Sequence, residues 1–106
     1  MLHDPNELDL AAKRRDGGVE LIIVSDGPLD DSPETQTLLL DKVENYMKYA
    51  QSRQFQQNFG KIPAKRVWIV LVLPEQPSRL ITALCQKIDE WVAGSGLNFE
   101  IRVRNQ

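Results

Sequence analysis

Alternating apolar and polar residues near the start of the chain predict a β-hairpin. Residues 8–14 and 19–25 flank Arg15-Asp16-Gly17-Gly18, and Asp-Gly is typical of a type I′ turn, whose two central residues need positive φ. With Asp16-Gly17 at those positions, the predicted pairs are Lys13 with Glu20, Ala12 with Leu21, Ala11 with Ile22 and Leu10 with Ile23. This register brings opposite charges together and groups Leu8, Leu10, Ala12, Leu21 and Ile23 on one face. The alternative, a turn shifted by one residue, places Lys13 opposite Ile22.

The next pattern has helical spacing and predicts a helix over residues 33–52. Its apolar stripe is Leu39, Val43, Tyr46, Met47 and Ala50, and its polar side is Asp41, Lys42, Glu44, Asn45 and Lys48. Either Ser32 is the N-cap with Pro33 at the first helical position, or Asp31 is the N-cap and Glu34 completes a capping box.

Residues 53–65 have no clear period. They are rich in glutamine and are interrupted by Gly60 and Pro63, and one interpretation is that they extend the preceding helix to about Phe59 before a loop. Phe55, Phe59 and Ile62 must still be buried against some part of the fold.

The remaining segments predict a strand, a helix and a strand. Residues 66–73 are apolar on both faces, as expected of a central strand. Residues 78–93 carry a helical stripe, which ends before Gly94-Ser95-Gly96, and residues 98–103 alternate. The stripe is Ile81, Leu84, Cys85, Ile88, Trp91 and Val92. We expect both Trp68 and Trp91 to lie in the core.

The element order is therefore ββαβαβ, in a single domain that spans residues 1–106. We predict an α/β fold of the two-layer α+β type, because both β-α-β crossovers should be right-handed. The predicted sheet is four-stranded and mixed, has the order 1-2-3-4, begins with the hairpin and carries both helices on one face. A ferredoxin-like strand order is the main competitor.

A sheet with helices on one side only leaves its other face open. That face carries Ile22 and Val24 together with one apolar set of the third strand, either Trp68, Val70 and Val72 or Val67, Ile69 and Leu71. Asp9, Lys13, Glu20, Glu100 and Arg102 surround them. An apolar centre with a polar rim is the anatomy of a protein interface. Our candidate interface is Ile22, Val24, Trp68, Val70 and Val72, with a second copy of the chain as partner, so that the protein is a homodimer. Alternatively, residues 53–65 fold back and cover this face.

Two acidic loops are the candidate ligand site. Asp26, Asp30 and Asp31 follow the second strand and Glu75 follows the third. The carboxyl ends of neighbouring parallel strands meet at one edge of a sheet, so we expect these four carboxylates to lie close together there. Clustered carboxylates are the ligands of a hard cation such as Mg²⁺ or Ca²⁺. The competing interpretation is turn and capping chemistry, which uses the same residue types.

Composition and charge narrow the class of protein. The chain has 106 residues, of which 42% are hydrophobic and 26% charged, and a formal net charge of −2, which excludes a disordered chain and a disulfide scaffold. With a pI of about 5.3 it lacks the basic excess of a duplex-binding module, so a nucleic-acid partner is not expected. No signal peptide or membrane span is expected. The single cysteine, Cys85, favours a cytoplasmic protein.

Catalytic chemistry finds little support in the sequence. Cys85 lies on the apolar stripe of a helix, and His3 is the only histidine. There is no G-x-S-x-G elbow, and Gly94-Ser95-Gly96 follows a helix, whereas a phosphate-binding loop precedes one. We predict no catalytic residue and no cofactor, and hence a non-enzymatic interaction module with an unknown protein partner. A small protein that binds a ligand or cation is the alternative.

Four stretches together carry a family resemblance. They are DPNELDL at 4–10, IVSDGPLDD at 23–31, LLLDKVENYMKYAQSRQF at 38–55 and FEIRVR at 99–104. With these stretches the chain resembles a bacterial family of small uncharacterised α/β proteins, known as a domain of unknown function. The resemblance implies the element order and a bacterial cytoplasmic origin. It implies no activity and no functional residues.

Overall fold

The fold is built on a four-stranded mixed sheet, which the computed structural model describes within residues 10–104. Strand β1 (Leu10–Lys13) pairs antiparallel with β2 (Val19–Val24), which pairs parallel with β3 (Val67–Leu73), and β3 pairs parallel with β4 (Asn98–Val103). The order β1-β2-β3-β4 confirms the predicted order and excludes the ferredoxin-like one. Leu8 and Asp9, which the sequence assigned to this hairpin, lie outside the described residues.

Within residues 10–104, three α-helices accompany the sheet, where the sequence predicted two. They are α1 (Pro33–Ala50), α2 (Arg53–Phe59) and α3 (Arg79–Gly94), and a short 3₁₀ turn, Ala64–Arg66, precedes β3. The order is therefore ββααβαβ, in an α+β fold. The predicted helix over 33–52 ends at Ala50 because Ser52 starts a new helix. Its hydroxyl accepts a hydrogen bond from the Phe55 N–H at 3.1 Å and donates one to the Tyr49 carbonyl at 2.6 Å.

The start of helix α1 agrees with the first of the two predicted capping arrangements. Ser32 is the N-cap and accepts a hydrogen bond from the Thr35 N–H at 3.2 Å, and Pro33 occupies the first helical position. Leu39, Val43, Tyr46 and Met47 of the predicted apolar stripe are buried and Ala50 is half-buried, but the polar side was assigned wrongly at one residue. Lys42 is fully buried, between Leu39 and Tyr46 on the same helical face.

All the helices pack against one face of the sheet, as predicted. The core there takes alternate residues of β2 and β3, including Leu21, Ile23, Ile69 and Leu71, and the buried stripes of α1 and α3. Phe55 of α2 lies in this same core at 2% exposure, and Phe59 and Ile62 pack against it. The hypothesis that residues 53–65 fold back over the other face is therefore wrong.

The hairpin register differs from both predicted alternatives. The pairs are Leu10 with Ile22, Ala11 with Leu21, Ala12 with Glu20 and Lys13 with Val19. The loop has three residues, Arg15-Asp16-Gly17, and closes with a 2.8 Å hydrogen bond from the Arg14 N–H to the Gly18 carbonyl. In this loop only Gly17 has positive φ, at 89°, so the turn is not type I′. The one-residue difference places Leu10 and Ala12 on the face without helices and moves Lys13 to the other.

Trp91 was also placed wrongly by the sequence. Its side chain is 39% exposed, at the edge of the α3 stripe, whereas Ile81, Cys85, Ile88 and Val92 are buried as predicted. In the part of the chain that is described, no helix combines the length and the apolar character that a membrane span requires.

Candidate interaction surface

The sheet face without helices, called here the open face, is organised in rows that cross the strands. The strand registers define three rows: Ala12, Glu20, Trp68 and Asn98; Leu10, Ile22, Val70 and Glu100; and Val24, Val72 and Arg102. Of the two apolar sets in β3, the structure therefore places Trp68, Val70 and Val72 on this face. All five candidate interface residues share it.

Charged side chains form a network over the centre of the open face. Arg102 donates hydrogen bonds to both carboxylate oxygens of Glu20, one of them at 3.0 Å, and another to Glu100. Arg14 donates a further one to Glu20 at 3.1 Å. Because Glu20 lies on β2 in the first row and Arg102 on β4 in the third, their ion pair crosses β3 over Val70.

The network leaves only part of the apolar patch accessible. Val70 is fully buried and Ile22 is 8% exposed, so neither offers much surface to a partner. Val24, Trp68 and Val72 are half-buried. Leu10, which the predicted register placed on the opposite face, is 54% exposed here and joins the patch.

The Trp68 ring contacts Arg14 and comes close to Gly18, both near the hairpin turn. The Arg14 guanidinium carbon lies 3.9 Å from the centroid of its ring, which is a stacked cation–π contact. A Cβ atom on Gly18 would lie 2.9 Å from the Trp68 ring and 2.7 Å from the Arg66 carbonyl oxygen, so only glycine leaves room for the ring there. The sequence did not point to Arg14, because its position depends on the length of the turn.

The electrostatics favour the ionised form of this network. Hydrogen bonds from Arg102 lower the pKa of Glu20, against the opposing effect of burial, and the charges of Arg102 and Arg14 lower it further. The same bonds with Glu20 and Glu100 raise the pKa of Arg102 above its ordinary value. Near neutral pH the open face therefore presents paired charges beside apolar side chains.

Asp26, Asp30, Asp31 and Glu75, the carboxylates considered from the sequence as a metal site, lie in the two acidic loops. Within residues 10–104, no group of three or more His, Cys, Asp or Glu side chains is close enough to hold a metal ion. Asp30 accepts hydrogen bonds from the Ser32 N–H, at 3.1 Å, and from the hydroxyls of Ser32 and Thr35, and these bonds lower the pKa of Asp30, the Ser32 hydroxyl most.

Asp26, Asp31 and Glu75 do not complete such a group with Asp30. Asp31 accepts a hydrogen bond from the Ser78 hydroxyl, the N-cap of α3, and so joins the two loops. Glu75 lines a pocket of about 280 Å³ between these loops, and Asp26, Asp30 and Asp31 do not. The hydrogen bonds of Asp30 and Asp31 are those of turns and helix caps, which was the competing interpretation of these residues.

The environment of Cys85 does not activate its thiol as a nucleophile. Cys85 is 3% exposed, and burial raises the pKa of its thiol to about 11, which opposes formation of the thiolate. His3, the only histidine, lies outside the described residues.

Comparison with known proteins identifies a family. A family model described as a family of unknown function, DUF6572, matches residues 1–105. The chain belongs to the DUF6572 family. This bears out the resemblance carried by the four stretches at the level of the family. No curated protein and no solved structure matches the chain.

Proposed function

We propose that this DUF6572 protein is a non-catalytic protein-interaction module that forms a homodimer through its open face. The observation that carries the proposal is the position of four apolar side chains there, Leu10, Val24, Trp68 and Val72, all at least partly accessible while the helices cover only the opposite face. A bacterial cytoplasmic protein, as the resemblance implied, is part of the proposal.

The chemistry of the open face supports a protein partner. Tryptophan and arginine are the residue types most enriched among the contacts that dominate binding energy, and Trp68 and Arg14 are stacked on each other. Glu20 and Glu100 already hydrogen bond to Arg102, so their burial by a partner leaves no unpaired carboxylate.

A second copy of the chain fits this surface best. The open face carries both signs of charge, with the carboxylates of Glu20 and Glu100 beside the guanidinium groups of Arg14 and Arg102. A face of mixed sign is able to match itself about a two-fold axis, and two-fold homodimers are the most common oligomers. The other occupant that the sequence allowed, residues 53–65, packs in the core on the opposite side.

The test is the mass of the protein in solution, measured by light scattering at micromolar concentration. We expect the wild type to have at least twice the chain mass of 12.1 kDa. Val72→Glu places a charge in the contact and should halve the wild-type mass. Leu80→Glu is the matched control, since Leu80 is 41% exposed on α3 and lies away from the open face.

The comparison between the variants decides the proposal. Leu10→Glu repeats the test at a residue that is 54% exposed, where a charge does not interfere with folding. If both open-face variants are folded and keep the wild-type mass, the open face is not the dimer contact. No observation favours the cation-binding alternative, and we do not propose it.

A further inference from the structure

The outer edge of β4 is a second surface suited to association. Among residues 10–104 no strand pairs with this edge, and the six residues Asn98–Val103 contain neither proline nor glycine. The Arg104 N–H donates to the Leu73 carbonyl, 3.0 Å away on the inner side. Because backbone groups alternate along a strand, Phe99, Ile101 and Val103 direct their N–H and C=O groups outward. The edge is therefore a template for another strand.

Apolar side chains accompany these outward backbone groups. Phe99, Ile101 and Val103 lie on the helix side of β4 and are only half-buried. A groove of about 210 Å³ runs beside two of them, Phe99 and Ile101, and α3 forms its other wall, including Thr82, Cys85 and Gln86. A strand added at this edge would place its own alternate side chains next to these three.

Symmetry restricts how a second β4 is able to pair here. An antiparallel pair about a two-fold axis keeps the same face of both sheets on the same side, so one residue must lie opposite its own copy. With Glu100 on the axis, two carboxylates face each other, and with Arg102 on the axis, two guanidinium groups do. With Ile101 on the axis, Glu100 lies opposite Arg102 of the second copy, and Arg102 lies opposite Glu100 of the second copy. Opposite charges stabilise such cross-strand pairs and like charges destabilise them.

We propose that the β4 strands of two copies pair antiparallel with Ile101 on the two-fold axis. Ile101 then exchanges two backbone hydrogen bonds with its copy, and Phe99 does the same with Val103 of the second copy. Glu100 and Arg102 meet at the intervening pairs, where cross-strand side chains approach most closely. Arg102 retains its bonds to Glu20, which lie toward the inside of its own sheet.

This contact goes beyond the proposed function and is independent of it. It joins two sheets edge to edge, with the helices of both copies on one side and both open faces on the other. Either contact is able to form without the other.

Cysteine substitutions test the contact and its register. In an antiparallel pair, Ile101→Cys places two Cα atoms about 5.5 Å apart, which is within the range of a disulfide. Phe99→Cys is the matched control, because four residues of offset separate its two copies by about 13 Å. Under mild oxidation we expect a disulfide-linked dimer from Ile101→Cys. We expect none from Phe99→Cys or from the wild type, whose one cysteine is buried.

Two further variants make the result decisive. Phe99→Cys/Val103→Cys places the two new thiols opposite each other across the strands and should also cross-link, which covers the case of a poorly folded Ile101→Cys. Val72→Glu/Ile101→Cys should still cross-link, which separates this contact from that of the open face. Folded Ile101→Cys and Phe99→Cys/Val103→Cys that both stay unlinked would overturn the proposal. Equal cross-linking of Ile101→Cys and Phe99→Cys would show that the proposed register, with Ile101 on the two-fold axis, is wrong.

Discussion

Glu20 connects charge to stability at the scale of a single residue. It is 8% exposed and accepts hydrogen bonds from Arg102 and Arg14, which lower its pKa. A carboxylate whose pKa is lower in the folded state stabilises the protein at pH values above its pKa in the unfolded chain, which is near 4.5. This stabilisation is lost as the pH falls through the lower pKa of the folded state. We expect Glu20→Gln to lower the free energy of unfolding at pH 7 by about 1–2 kcal/mol.

The difference in unfolding free energy between the wild type and Glu20→Gln should depend on pH. Urea unfolding between neutral pH and pH 3 should show the two proteins converging in stability below pH 4.5. Glu44→Gln is the control, since Glu44 is exposed and its Lys48 partner is 4.0 Å away, and it should cost less than about 0.5 kcal/mol. A constant difference between wild type and Glu20→Gln across this range would show that the carboxylate charge is not responsible.

Cys85 gives a second prediction at this scale. Its thiol is 3% exposed and has a pKa near 11, so we expect a thiol reagent to modify it far more slowly in the native protein than in urea. Cys85→Ala should cost about 1 kcal/mol of stability, since it removes one buried heavy atom. Native labelling as fast as that of the unfolded chain would mean that this side of α3 is open to solvent.

The burial of Lys42 was predicted wrongly from the sequence because the residue is charged. Its spacing from Leu39 and Tyr46, three and four residues, places it on the buried stripe of α1, but its charge favours the polar side. In the fold its side chain is fully buried, and its Nζ lies 5.5 Å from the centroid of the Tyr46 ring. A lysine side chain is mostly aliphatic, so helical geometry was here the better guide to burial than charge.

At the scale of elements, the end of α3 depends on one glycine. Gly96 has φ of 82°, its N–H donates to the Ala93 carbonyl, and the Leu97 N–H donates to the Val92 carbonyl at 3.3 Å, which is a Schellman motif. We expect Gly96→Ala to cost about 1–2 kcal/mol because a Cβ disfavours this conformation. Gly94→Ala is the control. Gly94 is helical, a Cβ there meets nothing within 4 Å, and the change should stabilise by about 0.5 kcal/mol. Thermal unfolding in which Gly96→Ala is at least as stable as Gly94→Ala would contradict this account.

The hairpin shows the limit of turn signals in the sequence. Asp16-Gly17 correctly marked the turn, but Asp-Gly fits both a two-residue and a three-residue loop, and the loop has three. The side chain of Asp16 accepts a hydrogen bond from the Gly18 N–H at 2.9 Å, which stabilises the longer loop. Because a one-residue shift reverses the faces of a strand, that small difference changed which face Leu10 occupies.

At the scale of the whole molecule, the strand order was predictable and the surface was predictable only in part. Apolar residues on both faces of β3 are typical of a central strand, and alternating apolar and polar residues in β4 are typical of an edge strand. With the positions of these strands known, two right-handed crossovers set the strand order. The residues that β2 and β4 contribute to the open face followed from that order, whereas those of β1 depended on the register of the hairpin. The burial of Val70 did not, because it depends on an ion pair between residues 82 positions apart, Glu20 and Arg102.

Self-association through the sheet is the central claim, and the mass of the wild-type chain across a dilution series tests it most directly. Light scattering should give at least twice 12.1 kDa at the highest concentrations and approach 12.1 kDa on dilution, as for a reversible assembly. A mass of 12.1 kDa at every concentration, up to the solubility limit, would contradict it.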